Sequence, residues 1–244
     1  MSLTFFHSEF EQEVRERLSI FDRDITKKDA LLVSKLDLTN FDFKDEDIDN
    51  LFFFSNLMSL SINIGERDSF FWSHFPKLQD LYWCCWGSEI DFEVFSNMKD
   101  LSSLIISGGD YSSIKFIGLD SLTKLNHLKK LILHEFGPVD LAPLENMPRL
   151  KHLSLLYTDS AQNIETIGKL CWLESLTLRG LYVDNLDFLD SLPNHINLEL
   201  CGIEIYGRKE IDVLKWKRFK KRDICEISIK NPYWEYIDLS ALEN

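Results

Sequence analysis

The segment Leu128-Lys-Lys-Leu131-Ile-Leu133 sets the architecture of this chain, because its spacing of apolar residues returns further on. Leu150-Lys-His-Leu153-Ser-Leu155 begins 22 residues later (128 to 150), and Leu173-Glu-Ser-Leu176-Thr-Leu178 begins 23 residues after that (150 to 173). A repeat of this length indicates that each copy supplies one short strand to a stacked solenoid, in which a copy contacts only its neighbours.

The same pattern, L-x-x-L-x-L, can be aligned nine times along the 244 residues. Its first positions are Val33, Leu57, Leu78, Leu101, Leu128, Leu150, Leu173, His195 and Ile224. The fourth and sixth positions are apolar in every copy, and alternation with a period of two turns them inward and the residues between them outward. The sequence therefore predicts an α/β leucine-rich repeat solenoid, a horseshoe with a parallel concave sheet of about nine strands.

The two ends of such a solenoid expose apolar core and unpaired strand, so they need caps. Four residues at helical spacing place one apolar face of a helix before the first repeat: Phe6, Phe10, Val14 and Leu18. Ser8 with Glu11 fits a capping box at the start of this helix, and Thr26 with Asp29 fits a second one.

We predict one structural domain in three parts. Residues 1–32 form an N-terminal helical cap, 33–231 the leucine-rich repeats, and 232–244 a C-terminal cap. Residues 107–113 lengthen one repeat and are predicted to bulge from the sheet edge as a loop. The convex connections, such as 140–148 and 163–170, have room for one or two helical turns.

The N-terminal segment resembles the cap that leads into the repeats of bacterial internalins. The resemblance lies in Glu13-Val14-Arg15 with Leu18, in Ile25-Thr26-Lys27-Lys28-Asp29, and in Leu36-Asp37-Leu38-Thr39. The short connections also resemble the 22-residue repeat subtype that internalins share with the regulatory subunit family of protein phosphatase 1. The resemblance implies bacterial origin, protein partners, and export to a cell surface.

The ninth position of each repeat departs from the usual Asn or Cys, whose polar atoms satisfy backbone groups in the turn. In the first eight copies it holds Phe41, Gly65, Trp86, Gly109, Phe136, Thr158, Leu181 and Ile203. The polar ladder is missing, so we expect bulky apolar residues to fill that space.

The outward residues of the strands form the predicted binding surface. At the fifth position these are Asp37, Ser61, Tyr82, Ile105, Ile132, Ser154, Thr177, Glu199 and Ser228. The middle copies are apolar and aromatic and have polar neighbours on both sides, which is typical of an interaction site; strand propensity alone is the competing explanation. The predicted partner-binding residues are Tyr82, Ile105, Ile132, His134, Leu156, Tyr157, Arg179 and Glu199.

The net charge of −13, from 40 acidic and 27 basic residues, disfavours nucleic acid and anionic membranes and favours a protein partner with a basic surface. Surplus acid that merely keeps the protein soluble explains the charge equally well.

Residues 215–222 hold six Lys or Arg, and Trp216 and Phe219 could stack on bases. Binding of nucleic acid or another polyanion through this run is the alternative function; a solvated helix face is the favoured interpretation.

Catalysis, cofactors, metal sites and small-molecule ligands are not expected. The five cysteines (Cys84, Cys85, Cys171, Cys201 and Cys225) show no C-x-x-C spacing. His134 and His152 would lie about 13 Å apart along adjacent strands, too far for one metal ion. No phosphate loop, G-x-S-x-G or H-E-x-x-H motif occurs.

The start of the chain lacks the pattern of a signal peptide, which favours the cytoplasm; secretion or surface display is the alternative if a leader has been removed. The predicted function is a non-catalytic protein–protein interaction module that binds on its concave face. Within this class we consider an intracellular immunity or inhibitor protein that covers a basic partner, and an exported adhesion-type repeat domain.

Overall fold

The computed structural model describes residues 1–40, 45–108, 114–158, 160–206, 224–231 and 233–236. Within these ranges the α-helices are α1 (Ser8–Leu18), α2 (Lys27–Ala30), α3 (Asp45–Leu51) and α4 (Ser69–Trp72). The strands are β1 (Lys35–Leu38), β2 (Ser59–Asn63), β3 (Asp80–Cys85), β4 (Glu89–Asp91), β5 (Ser103–Gly108), β6 (Lys115–Ile117), β7 (Lys130–Phe136), β8 (Val139–Asp140), β9 (His152–Thr158), β10 (Ala161–Gln162), β11 (Ser175–Val183), β12 (Asn197–Tyr206), β13 (Ile224–Asn231) and β14 (Tyr233–Tyr236).

The principal sheet has ten strands in the order β1-β2-β3-β5-β7-β9-β11-β12-β13-β14. Neighbours from β1 to β13 are parallel, and β14 turns back antiparallel to β13. In the first eight copies the repeat positions stand side by side, as in the pair Leu131 and Leu153. The predicted solenoid and its parallel sheet are therefore confirmed.

The predicted alignment of the ninth copy is wrong. The repeat pattern puts Ile224 level with His195, which would set Ser228 beside Glu199. Instead, Ile224 pairs with Leu200 and Ser228 with Glu204, five residues further along β12 (195 to 200). The β12 strand is ten residues long, and β13 pairs along it from Leu200 to Tyr206.

A left-handed residue at the eighth repeat position divides the sheet into two kinds of strand. Glu135, Tyr157, Gly180 and Gly202 have φ values of 53°, 55°, 58° and 63° in β7, β9, β11 and β12. Such a residue interrupts the strict alternation of the pleat, and the ninth residue then turns inward.

Burial of the ninth position follows this division. Phe136, Thr158, Leu181 and Ile203 are buried, as predicted for bulky residues in that space. In β3 the alternation continues instead, so that Cys85 is buried and Trp86 is 48% exposed. Trp86 therefore does not fill the interior. Phe41 and Gly109 lie outside the described residues.

The core lies between the concave sheet and a convex layer of short helices. In the first copies this layer is aromatic. The ring centroid of Trp72 in this layer lies 5.1 Å from that of Trp83 in β3. Further along it consists of 3₁₀ helices, including Ala142–Asn146 and Ile164–Lys169, which confirms the predicted one or two turns.

Helix α1 covers the first repeat with Phe10 and Val14, both fully buried. Two details of the prediction are wrong. Phe6 is 63% exposed because the helix begins only at Ser8, and the Ser8 hydroxyl donates to Glu9 rather than forming a capping box with Glu11. The second capping box, from Thr26 to Asp29, is confirmed.

Three further predictions fall outside the described residues. They are the path of the inserted loop through 109–113, the helix expected around the basic run 215–222, and the end of the C-terminal cap from 237 onward. The boundaries proposed for the two caps stay predictions.

Candidate functional site

Two rows of outward residues cross the concave sheet in register. In the fifth row Tyr82 pairs with Ile105, Ile105 with Ile132, and Ile132 with Ser154. In the seventh row Ser107 pairs with His134, His134 with Leu156, and Leu156 with Arg179. Adjacent strands are about 4.8 Å apart, so each row brings side chains from separate repeats into direct contact distance.

We call Tyr82, Ile105, Ile132, Leu156 and Tyr157 the apolar stripe. The first four are half-buried, because neighbours on the tightly spaced strands shield them. Tyr157 stands out from this surface and is 54% exposed. The stripe is thus a shallow apolar surface with one projecting ring.

The backbone of Tyr157 explains why its ring projects. Its φ of 55° lies in the left-handed region, which is uncommon for a residue with a bulky side chain. The ring lies over Gly180, where an added Cβ would come within 2.5 Å of Tyr157 Cδ1. The His134 ring contacts it edge-on from the other side, at 5.5 Å between centroids.

A polar network supports the stripe from within the sheet. Ser107 Oγ and His134 Nδ1 are 2.9 Å apart, and the Ser107 side chain is buried. Burial raises the pKa of Tyr82, and a hydrogen bond with Ser107 partly opposes this effect. These contacts orient His134 and Tyr82 on the concave face.

An ion pair borders the stripe on the C-terminal side. The Arg179 guanidinium donates to the Glu199 carboxylate through Nε at 2.8 Å and also through Nη2. This hydrogen bonding raises the pKa of Arg179. Arg179 and Glu199, predicted as partner-binding residues in different rows, therefore lie together as one charged pair at the rim.

Two nucleophilic residues near this face, Ser107 and Cys85, are buried. Burial raises the pKa of the Cys85 thiol to about 12, which keeps it protonated at neutral pH. Over the described ranges no group of three His, Cys, Asp or Glu could hold a metal ion. Among those same residues no helix has the length and apolarity to cross a bilayer.

Gly180 belongs to the candidate site, and the repeat pattern did not single it out. Its importance lies in the close approach of the Tyr157 ring, and only a residue without a side chain permits it. The signal in the sequence was the glycine at the eighth position of two successive copies, Gly180 and Gly202.

No family model matches the sequence, and no curated protein matches it. Solved structures do resemble it. An internalin (inlF) from Listeria monocytogenes is 18% identical with a TM-score of 0.62; the match covers 97% of this chain and 66% of the internalin. Internalin C2 (inlC2) from the same organism is 15% identical with a TM-score of 0.62, and the match covers 90% of this chain and 92% of that one.

A plant structure resembles it as well. The Arabidopsis receptor kinase HAESA, solved with the peptide hormone IDA and the co-receptor SERK1, is 22% identical with a TM-score of 0.55. The match covers 81% of this chain and 33% of the receptor. At these identities the likeness concerns the fold. This chain has the leucine-rich repeat solenoid fold of the internalins.

Proposed function

We propose that this protein is a non-catalytic interaction module that binds a partner protein on its concave face through the apolar stripe. An apolar surface with polar neighbours, held on a stacked sheet, is a typical protein-binding surface of repeat proteins. The ion pair of Arg179 with Glu199 would lie at the rim of the interface, where such pairs contribute more to orientation than to affinity.

The observation that carries this proposal is the conformation of Tyr157. The left-handed backbone recurs at the eighth position of four successive strands, and at Tyr157, where the side chain is bulky, it costs about 1–2 kcal/mol. This conformation holds a tyrosine ring above the surface, 54% exposed, and tyrosine is enriched among the residues that dominate binding energy.

The resemblances point in the same direction. HAESA, which shares the fold, was solved in complex with a peptide hormone and a co-receptor protein. The chain spans 66% of the inlF structure, so the role of a whole internalin comes to this chain only as part of our proposal.

The first test removes the two tyrosines of the stripe. We expect Tyr157→Ala and Tyr82→Ala each to weaken partner binding by about 2 kcal/mol, or roughly 30-fold, as hot-spot tyrosines do. The partner is first captured from a bacterial lysate by the unaltered protein, and the affinities are then measured by calorimetry.

Phe70→Ala is the matched control, since it removes an aromatic ring that is 67% exposed on helix α4, on the convex side. This variant should bind like the unaltered protein, and thermal unfolding should confirm that all three variants are folded. Equal affinities for the two tyrosine variants and Phe70→Ala would place the interface elsewhere.

We propose further that the partner is basic and that the protein acts as an immunity or inhibitor protein by covering it. The net charge of −13 supports this choice. The alternative function is nucleic-acid binding through 215–222, a run that lies outside the described residues. Affinity that survives at high salt would favour a protein partner, because phosphate contacts weaken steeply with salt.

A further inference from the structure

We propose that a groove at the C-terminal ends of β11 and β12 binds an arginine side chain of a basic protein segment. This site lies outside the apolar stripe, and no residue of the stripe lines it. The groove has a volume of about 670 Å³. Its lining includes Gln162, Asn163, Glu165, Tyr182, Asp184 and Tyr206.

The register of β11 and β12 builds the aromatic part of the groove. Val183 pairs with Ile205, so Tyr182 lies just before this pair on one strand and Tyr206 just after it on the other. The two ring centroids are 5.8 Å apart and the rings are inclined by 49°. Tyr182 is 40% exposed and Tyr206 37% exposed. Two inclined aromatic faces offer a flat cation a place to stack.

The described charged residues around these rings are acidic. Among the described residues that line the groove, the charged ones are Glu165 and Asp184, and both carry carboxylates. Lys169 lies on the same 3₁₀ helix as Glu165, but its ammonium group pairs with Glu145 at 2.9 Å. A third carboxylate, Glu204, stands level with Tyr182 on the adjacent strand. This arrangement attracts a cation and repels phosphate.

The polar walls of the groove are held in place by their own hydrogen bonds. Asn163 Nδ2 donates to Asp140 at 2.7 Å, and Asn185 accepts from the Asp187 backbone N–H at 2.9 Å. The walls are therefore ordered before a ligand arrives, which lowers the entropy cost of binding.

Arginine fits this combination better than lysine or a metal ion. Its planar guanidinium stacks on aromatic faces and donates in a fork to carboxylates, whereas the lysine ammonium is a compact, strongly hydrated charge. The groove is also larger than one side chain, which suits an extended segment that presents arginine to the rings.

The test uses acetyl-Arg-Gly-Arg-Gly-Arg-amide as the probe and isothermal titration calorimetry at low ionic strength. Citrulline keeps the shape of arginine but has no charge, so the citrulline peptide should bind at least about tenfold more weakly. Tyr182→Leu and Asp184→Asn should each weaken binding of the arginine peptide about tenfold.

Asp49→Asn is the matched control, because it removes one exposed carboxylate from α3, in the N-terminal part of the solenoid. It should change the affinity by less than about twofold. Equal losses in Asp49→Asn and Asp184→Asn would mean general charge attraction and would overturn the proposal, as would equal binding of the citrulline peptide. Thermal unfolding of each variant establishes that it is folded.

Two further variants separate the alternatives. Tyr157→Ala should bind the peptide normally, because Tyr157 does not line the groove; the two binding proposals therefore stand or fall separately. Replacing Lys217 and Arg218 by Ser tests the chain's own basic run as the occupant. A tenfold gain in peptide affinity in that variant would show that this run occupies the groove, and a partner segment would then be the wrong occupant.

Discussion

Tyr157 holds a left-handed backbone at the repeat position where the next two strands carry glycine. Its ring lies against Gly180, so the side chain of one strand depends on the absence of a side chain in the next. The strain and the close contact together determine where the ring stands on the concave face.

Gly180→Ala and Gly202→Ala separate these two effects. Both residues have positive φ, at 58° and 63°, so each substitution should lower the free energy of unfolding by about 1 kcal/mol. A Cβ at Gly180 would also displace the Tyr157 ring, whereas at Gly202 the nearest heavy atom is 3.6 Å away. We therefore expect only Gly180→Ala to weaken partner binding.

Chemical denaturation measures the stabilities of the two variants, and calorimetry with the captured partner measures their affinities. Equal affinities in the two alanine variants would mean that the position of the Tyr157 ring does not matter for binding.

At the scale of the element, the turns of this solenoid satisfy their backbone groups in a different place from the usual polar ladder. Asp68, Asp91 and Asp140 accept from backbone N–H groups at the starts of convex helices, each at 2.9 Å. Thr158 is a polar residue at the ninth position that still donates to a backbone carbonyl, that of Gly137. Side chains therefore satisfy backbone groups at the starts of these convex helices and, at Thr158, after the strand.

Helix α2 shows how strongly one such cap depends on charge. The Asp29 carboxylate accepts from both Nη atoms of Arg23 at 2.8 Å and from the Thr26 backbone and hydroxyl. These hydrogen bonds hold the pKa of Asp29 well below its usual range, and the bond from Arg23 has the largest effect. A carboxylate with a depressed pKa stabilises the fold above its unfolded pKa, and the effect is lost as the pH falls through the folded pKa.

We therefore expect Asp29→Asn to lower the free energy of unfolding at neutral pH. The difference in unfolding free energy between this variant and the unaltered protein should shrink as the pH falls below 3.8, the ordinary pKa of Asp. Urea unfolding at a series of pH values measures this difference. Asp24→Asn, at an exposed neighbour, is the control and should show a smaller gap at neutral pH. A gap for Asp29→Asn that does not change with pH would contradict this account.

At the scale of the whole molecule, the N-terminal segment is fastened to the solenoid through one buried carboxylate. Asp47 on α3 is fully buried; it accepts from the Phe6 backbone N–H at 2.9 Å and contacts His7 Nδ1. Three residues further along α3, Asn50 donates to the carbonyl of Thr4 at 2.8 Å. Residues 4–7 are thereby held against the first convex helix.

Removal of one partner from this buried contact should destabilise the whole fold. We expect His7→Ala to cost about 2 kcal/mol, because it takes a hydrogen-bonding partner from a buried carboxylate. A double-mutant cycle with Asp47→Ala, measured by urea unfolding, should give a coupling of about 1 kcal/mol or more. Strictly additive effects would mean that the contact does not fasten the cap.

The rows of the sheet could be predicted from the sequence residue by residue, including the direct pairing of Ile105 with Ile132. This succeeded because alternation and a 22-residue period both depend on local spacing. The ninth copy failed because β13 pairs with residues 200–206 of the long β12 strand, a tertiary pairing that local spacing does not record, so the pattern alone placed Ile224 five residues away from its true level.

Periodicity along the chain is sufficient to predict the solenoid, its inward leucines and the side chains that could face a partner. The role of those side chains in binding stays a prediction. Tertiary structure alone decided that Tyr157 projects, that Arg179 pairs with Glu199, and that Tyr182 meets Tyr206 beside an acidic groove. These features arise between strands 20 or more residues apart in the chain, and they depend on local backbone twists that no repeat pattern records.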